Sequence, residues 1–365
     1  MKIDEISVFH VSMPLKAPWK TAFSEEHAID TVLVRMTGEG MVGWGEAAPY
    51  AVPQFSPEWT GGCLALIRDV FAPLLVGQDV TSGEELQARL ASYKGNYFAK
   101  AAVDTAWWDL YAKTLDRPLW RVIGGEIPVV EVGADIPVQD DMETLLGHVR
   151  KAVDDGFGRI KLKYRRDSSP AMVAAVREAA PQMPVHIDCN SGFTLDDLPV
   201  FTELDRLGLA MIEQPLGWND LVDHARLQAE LETAICLDES ITSVEEVRKA
   251  HEIGAGRMIN IKHGRVGGLT NALAIHRFCR EHATPCWVGG MLESFVGQGV
   301  SLAFATLRGN TYPADIFPDG RLYATDLAEP ALHLSGRGEM TAPERSGHGF
   351  APAQDRLDDF IVAAG

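Results

Sequence analysis

The sequence predicts an α/β chain in which a closed barrel follows an N-terminal region that is first antiparallel and then helical. Three observations carry this. Beyond the Gly124-Gly125 pair, short apolar runs of strong β character alternate with helical stretches, the pattern of βα units around a parallel sheet. Seven or eight such units follow one another, which favours closure over an open sheet. At 365 residues the chain exceeds the usual single domain and leaves room for an addition.

Taken in order, residues 1 to about 48 alternate as antiparallel strands: "KIDEISVFHVSMP", "IDTVLVRM" and the glycine-bounded "MVGWGEAA". From about 57 to 115 the apolar residues recur at three and four, ending in "YFAKAAVDTAWWDLYAKTLDRP", a helical pattern. Trp107 and Trp108 on that helix are expected to pack in a core or at a domain interface. The barrel strands then read "VEVGADIPV", "RIKLKY", "VHIDCN", "MIEQPL", "ICLDES", "MINIKH" and "PCWVGGM", with "YPADIF" as the eighth. No GxGxxG or Walker A turn follows any of them, which counts against a nucleotide-binding sheet.

Composition narrows the partners. With 33 basic and 51 acidic residues the net charge is −18, so nucleic acid and anionic membrane surfaces, which need a basic footprint, are not expected partners. The five cysteines (Cys63, Cys189, Cys236, Cys279 and Cys286) form no CxxC and no zinc spacing, and read as buried thiols in a reducing compartment. The N-terminal stretch has no continuous apolar core of a signal peptide, and no run is long enough to span a bilayer. A cytoplasmic protein is the expectation.

Chemistry enters with the ionisable residues. Lys163, Asp188, Glu213, Asp238 and Lys262 fall at the C-terminal ends of successive strands, spaced 25, 25, 25 and 24 residues apart. One βα unit is about that long, so five neighbouring strands each deliver one charge to the end where barrel active sites are built. Three converging carboxylates repel, and a cation between them relieves the repulsion. All-oxygen ligands on a rigid scaffold suit Mg²⁺, with Mn²⁺ as a substitute, whereas zinc would prefer His or Cys.

The two lysines flank the carboxylate strands and would approach a bound substrate from opposite faces. An amine is a base only when neutral, and an unperturbed lysine titrates near about 10.4. Strand alternation puts Lys161 on the face of Lys163, where a second ammonium would depress its pKa and could bond a substrate carboxylate. Other readings of the same charges are a salt-bridge ring closing the barrel, a Schiff-base aldolase lysine, and a non-catalytic barrel. The aldolase leaves three carboxylates unexplained.

With "RIKLK", "IEQPL", "DLVDHA", "CLDES", "NIK" followed by "GRVGG", and "GGMLES", the chain resembles the enolase superfamily, in its muconate-lactonizing subgroup. Within it the chain is most similar to the o-succinylbenzoate synthase/N-succinylamino acid racemase family. The resemblance implies a (β/α)₇β modified TIM barrel over residues 126–324 with an α+β capping domain over residues 1–125, completed by a C-terminal segment from about 325 to 365. It implies Mg²⁺ on Asp188, Glu213 and Asp238, an acid/base pair of Lys163 and Lys262, and Lys161 and Asn190 near the substrate carboxylate. The implied reaction is removal of the proton α to a carboxylate, giving racemisation of N-acyl (N-succinyl) amino acids or dehydration to o-succinylbenzoate. Another epimerase, cycloisomerase or dehydratase of the subgroup is the alternative. A small-molecule carboxylate substrate and a homo-oligomer are also implied.

Two stretches depart from that family's pattern. Where members carry Gly-Asp and then small hydroxyl residues near the eighth strand, this chain reads "YPADIFPDGRLY", with Ala314 before Asp315 and Phe317 after Ile316. The cap loop reads "TAFSEEH" without the glycine of a "TSFG"-like loop. A dipeptide epimerase would carry a DxD at the eighth strand, and Asp315-Ile316-Phe317 is not one. Four further residues complete the expectations: Glu293 at the pocket mouth as a substrate contact, Glu239 as support behind the site, His263 facing outward, and Gly267-Gly268 as a tight turn.

Overall fold

The computed structural model describes all 365 residues. Strands β1 (Glu5–Lys20), β2 (Glu25–Gly38) and β3 (Met41–Ala47) form an antiparallel meander, in register at Val8↔Val34 and Val34↔Gly45. Period-two alternation turns Val8, Val32 and Val34 into the core of this cap. The sheet packs on the helix Tyr97–Thr114, which is buried on most sides because small alanines interrupt its large residues. Gly45 permits the contact: a Cβ there would lie 2.1 Å from the Ala102 carbonyl oxygen.

The barrel begins where the run expected as one strand divides. β4 (Val129–Glu131) and β5 (Ala134–Ile136) are separated at Val132-Gly133, because the Arg159 side chain lies against Gly133 where a Cβ would sit 2.1 Å from its Nε. β5 then heads a seven-stranded parallel sheet with β6 (Ile160–Lys163), β7 (Val185–Asp188), β8 (Ile212–Glu213), β9 (Ile235–Leu237), β10 (Met258–Ile261) and β11 (Cys286–Val288), in that spatial order. The expected eighth strand, "YPADIF", forms no regular ladder, since Pro313 lacks a donor. It still bridges the open edges: Gly133 N donates to Ala314 O (3.0 Å) and Asp315 N to Val288 O (2.9 Å). The sheet is thereby curled as in a modified TIM barrel.

Serine and aspartate N-caps start four of the intervening helices, with Asp141, Ser169, Ser243 and Ser294 each accepting a bond from its own helix. The C-terminal segment returns along the molecule. β12 (Ala328–Glu329) pairs with β14 (Ala351–Pro352), β13 (Glu339–Thr341) pairs with β4, and β15 (Ile361–Ala364) pairs antiparallel with β1. No helix is long and apolar enough to cross a membrane. All five cysteines are buried free thiols.

Cap and barrel are joined by buried carboxylates at helix N-termini, where unpaired amides await acceptors. Asp104, on the long cap helix, accepts from Thr270 N (3.1 Å) and Thr270 Oγ1 (2.6 Å) at the start of the helix Leu269–Glu281. Glu46, on β3, accepts from Ser294 N, Ser294 Oγ and Gly297 N at the start of the helix Phe295–Ala305. Trp108 Nε1 donates to Thr270 Oγ1, an interface contact, while Trp107 is core. Gly267-Gly268 is a turn with positive φ, and a Cβ on Gly268 would meet Asp104 at 2.4 Å. These contacts set the cap loops over the C-terminal ends of the barrel strands.

Candidate active site

Lys163, Asp188 and Glu213 are the last residues of β6, β7 and β8, paired in register as Lys163↔Asp188 and Asp188↔Glu213. Asp238 and Lys262 are the first residues beyond β9 and β10. All five sequence-selected charges therefore meet at one end of the barrel. Oxygens of Asp188, Glu213 and Asp238 lie within 4.8 Å of one another, and the three residues are fully buried.

Each acid is matched by a cation. Lys163 Nζ is 2.7 Å from Asp188 Oδ2, and Lys262 Nζ is 2.7 Å from Asp238 Oδ2. Lys161 Nζ reaches Asp188 Oδ2 (3.0 Å), Glu213 Oε2 (2.9 Å) and Asp315 Oδ2 (3.3 Å). Arg265 bonds Asp238 Oδ1 and also donates to the carbonyl oxygens of Ile241 and Asn260. Burial works against the Lys161 ammonium, but Asp188, Glu213 and Asp135 outweigh it and hold its pKa above the ordinary lysine value. Burial likewise opposes ionised Glu213, yet Lys161 and His186 keep it well below the usual carboxylate range. Lys161 thus stands in the site as a fixed positive charge.

The donor set fits a divalent cation. Three carboxylates converge from rigid strand ends, and Glu213 Oε2 accepts no well-aligned hydrogen bond although ammonium charge lies beside it. With neither His nor Cys among the three, the oxygen set suits Mg²⁺ or Mn²⁺ over zinc.

Beneath these residues lies a layer that sequence reasoning missed apart from Lys161. His186, Met211, Cys236 and Asn260 each precede a selected residue by two, as Lys161 precedes Lys163, and so share its strand face. Asn260 Nδ2 donates to Glu213 Oε1 (2.6 Å), and His186 Nε2 is 3.3 Å from Glu213 Oε2. Burial pushes the His186 pKa down to about 4, leaving a neutral ring. Arg159 links Asp135 and Asp315 across the closing edge and packs 5.4 Å from the Trp287 ring centroid. The same period-two rule that paired Lys161 with Lys163 would have found most of this layer.

Asn190 donates from its backbone to Asp188 Oδ1 (3.0 Å) and from Nδ2 to Glu239 Oε1 (3.2 Å), and it lines the cavity. Glu239 is buried behind it, its pKa pushed up to about 7 by burial and by Asp188. Glu293 does not line the cavity. Its side chain turns back to accept from Met291 N (2.9 Å), and burial together with Glu46 pushes its pKa up to about 8. His263 faces outward, with its Nδ1 3.2 Å from Ser301 Oγ.

The cavity above Lys161, Lys163 and Lys262 is walled by Trp19, Phe23, Tyr50 and Phe55 of the cap and by Met291, Leu292 and Phe317 of the barrel. Lys262 Nζ lies 5.0 Å from the Phe55 ring centroid, a cation–π contact. Such a site, apolar with a few converging charges, suits a small organic anion.

Residues 3–124 match the mandelate racemase/muconate lactonizing enzyme N-terminal domain, and residues 144–356 match the enolase C-terminal domain-like family. The chain is 40% identical over 349 residues to an N-succinylamino acid racemase of Thermus thermophilus, covering 96% of this chain and 94% of the relative. It is 39% identical over 365 residues to an o-succinylbenzoate synthase of Geobacillus stearothermophilus, covering 100% and 97%. Among solved structures, an enolase-superfamily member from Listeria innocua superposes with a TM-score of 0.96 at 36% identity, covering 100% of this chain and 98% of the other.

Proposed function

Because the chain belongs to the mandelate racemase/muconate lactonizing enzyme family of enolase-like proteins, we propose that it removes the proton α to the carboxylate of an N-acyl amino acid, of the N-succinyl kind its relatives are named for. One observation carries the reading. Lysines stand at or just beyond the C-terminal ends of β6 and β10, on either side of three buried carboxylates at the same ends of β7, β8 and β9.

Asp188, Glu213 and Asp238 would hold Mg²⁺, or Mn²⁺ in its place. When bound, the ion supplies positive charge opposite the negative charge that builds on a substrate carboxylate as its α-proton leaves. The chain's own residues do the rest. Lys161, held charged by its acidic neighbours, orients the carboxylate. Lys163 and Lys262 address the α-carbon from opposite faces, one taking the proton at Nζ and the other returning one. Asn190 secures Asp188, and Phe23, Tyr50 and Phe55 exclude water from above. If a β-hydroxyl departs in place of reprotonation, the same residues serve dehydration to o-succinylbenzoate, the reaction named for the relative from Geobacillus stearothermophilus.

The residue roles, the division into a cap of 1–125 completed by about 325–365 and a barrel of 126–324, a homo-oligomeric state and a cytoplasmic setting belong to this reading. The β1–β15 pairing supports the division, and the buried free thiols support the setting. The test is α-proton exchange in D₂O, followed by NMR on both enantiomers of several N-succinyl amino acids with Mg²⁺ and with EDTA. Metal-dependent exchange of both enantiomers is expected. Exchange that continues in EDTA, or in a protein lacking both Lys163 and Lys262, would sink the reading.

A further inference from the structure

The two candidate bases differ in what surrounds them. Lys163 keeps some exposure and also borders a second cavity of about 340 Å³, between loop residues 137–141 and 165–169. Lys262 is buried, with Asp238 Oδ2 at 2.7 Å and the Phe55 ring centroid at 5.0 Å from its Nζ. Among the cation–π contacts of the chain, Phe55 takes only Lys262.

Phe55 is not fixed by its own loop. Residues 51–54 are exposed, and one backbone bond, from Gln54 N to Val52 O (2.8 Å), joins residues within 51–58. Two side chains tie the segment down. At its base, Thr60 Oγ1 donates to Tyr50 O (2.9 Å) and to Asp30 O (3.0 Å). Beyond Phe55, the buried Glu58 carboxylate accepts from Phe98 N (3.0 Å) and Ala99 N (3.2 Å). Those amides open the long cap helix, whose own N-cap, Asn96, is left-handed at φ 55° and makes no side-chain bond to it. Glu58 therefore supplies, from 40 residues away, the acceptor that the helix start lacks.

That cap seats one ring on another. Phe98, whose amide Glu58 holds, meets Phe55 edge-on, with ring centroids 6.3 Å apart at 73°. Phe98 also lies against Gly264, two residues past Lys262, where a Cβ would come within 3.1 Å of its Cε1. The series Glu58, Phe98 and Phe55 thus ends at the Lys262 ammonium. Tyr50 has its own anchor in Thr60, so release of Glu58 frees Phe55 and leaves Tyr50 held.

We propose that Glu58 is a positioning residue for Lys262: by capping the long helix it holds Phe55 where the ring keeps Nζ on the cavity side. This rests on the reading that Lys163 and Lys262 address opposite faces of an α-carbon. It deepens that reading by naming what keeps one of the two in place. Glu58 itself touches neither lysine nor substrate.

The test measures kcat for α-proton exchange of each enantiomer of N-succinylmethionine in D₂O with Mg²⁺. The enantiomer facing Lys262 is the one whose exchange Lys262→Ala abolishes. Glu58→Ala is expected to lower kcat for that enantiomer about tenfold or more, and for the other by less than about twofold. A loss of structure alone would lower both. Phe55→Ala, with the helix cap intact, should show the same selectivity. Glu58→Gln, which leaves one carbonyl oxygen for the helix amides, should show it at smaller size, and carries the comparison with Phe55→Ala if Glu58→Ala does not fold. Amide hydrogen exchange, independent of catalysis, should show residues 51–58 losing protection in the Glu58 variants. Selectivity in Phe55→Ala alone, losses equal for the two enantiomers within about twofold, or unchanged protection of 51–58 overturns the inference and leaves the two-lysine reading intact. Exchange of neither enantiomer by native protein that still binds Mg²⁺ in calorimetry overturns that reading and this inference with it.

Discussion

Lys163 Nζ lies 2.7 Å from Asp188 Oδ2, on strands whose register sets the two residues side by side. The candidate base is thus bonded to an oxygen of a candidate metal ligand. A cation held by the cluster would compete with the ammonium for that oxygen and would leave the amine to face the substrate.

Removal of that ammonium should separate binding from chemistry. Lys163→Ala is expected to bind Mg²⁺ at least as tightly as the native protein in calorimetry. Its α-proton exchange should fall by about a hundredfold or more toward one enantiomer. Weakened metal binding in this variant would mean that Lys163 holds Asp188 in place and does not compete for it.

Metal should stabilise the fold through the cluster. At a Mg²⁺ concentration about 100 times its Kd, the native unfolding free energy is expected to rise by about 2.7 kcal/mol. Glu213→Gln should lose most of that gain, because Glu213 Oε2 is the cluster oxygen without a well-aligned donor. Urea titrations with Mg²⁺ and with EDTA read both, and an undiminished gain in Glu213→Gln would remove Glu213 from the site.

Glu293 should make stability fall as pH rises. Its folded pKa of about 8 lies above the ordinary glutamate value of 4.5 because burial and Glu46 disfavour its ionisation. A carboxyl with a raised folded pKa contributes fully below the unfolded pKa, and the contribution is lost as pH climbs to the folded one. Relative to Glu293→Gln, the native protein should therefore lose stability between about pH 4.5 and pH 8 and level off above. A pH-independent difference in unfolding free energy would show that the folded pKa of Glu293 is not raised.

The cap should tolerate no side chain at Gly45. A Cβ there would lie 2.1 Å from the Ala102 carbonyl oxygen and 2.5 Å from Ala106 N, both backbone atoms of the long helix. Gly45→Ala is expected to lower the unfolding free energy by about 2 kcal/mol or more, seen as an earlier thermal transition. Native-like melting would show that sheet and helix can part without loss.

Much of the site was legible because its residues repeat with the βα unit. Lys163, Asp188 and Glu213 needed only the strand ends and the spacing, and the structure sets all three at one end. Other features depended on neighbours distant in sequence. The run "VEVGADIPV" reads as one strand, but it divides where the Arg159 side chain crosses Gly133. Glu293 sits at a strand end like the others, yet the amide of Met291 draws it back from the cavity.

By itself, then, the sequence determined which side chains converge, since chain spacing and strand alternation are local and survive any detail of packing. It also determined that two lysines flank the three converging carboxylates. Only the tertiary structure decided which cation pairs with which oxygen, as when Lys161 reaches past its own strand to Asp188, Glu213 and Asp315. It alone brought Trp19 against Phe317 to close the cavity. The physical reason is reach. A side chain extends several ångströms from its backbone, so its partners depend on sheet curvature and on how segments far apart in the chain are docked, and neither is encoded by spacing along the chain.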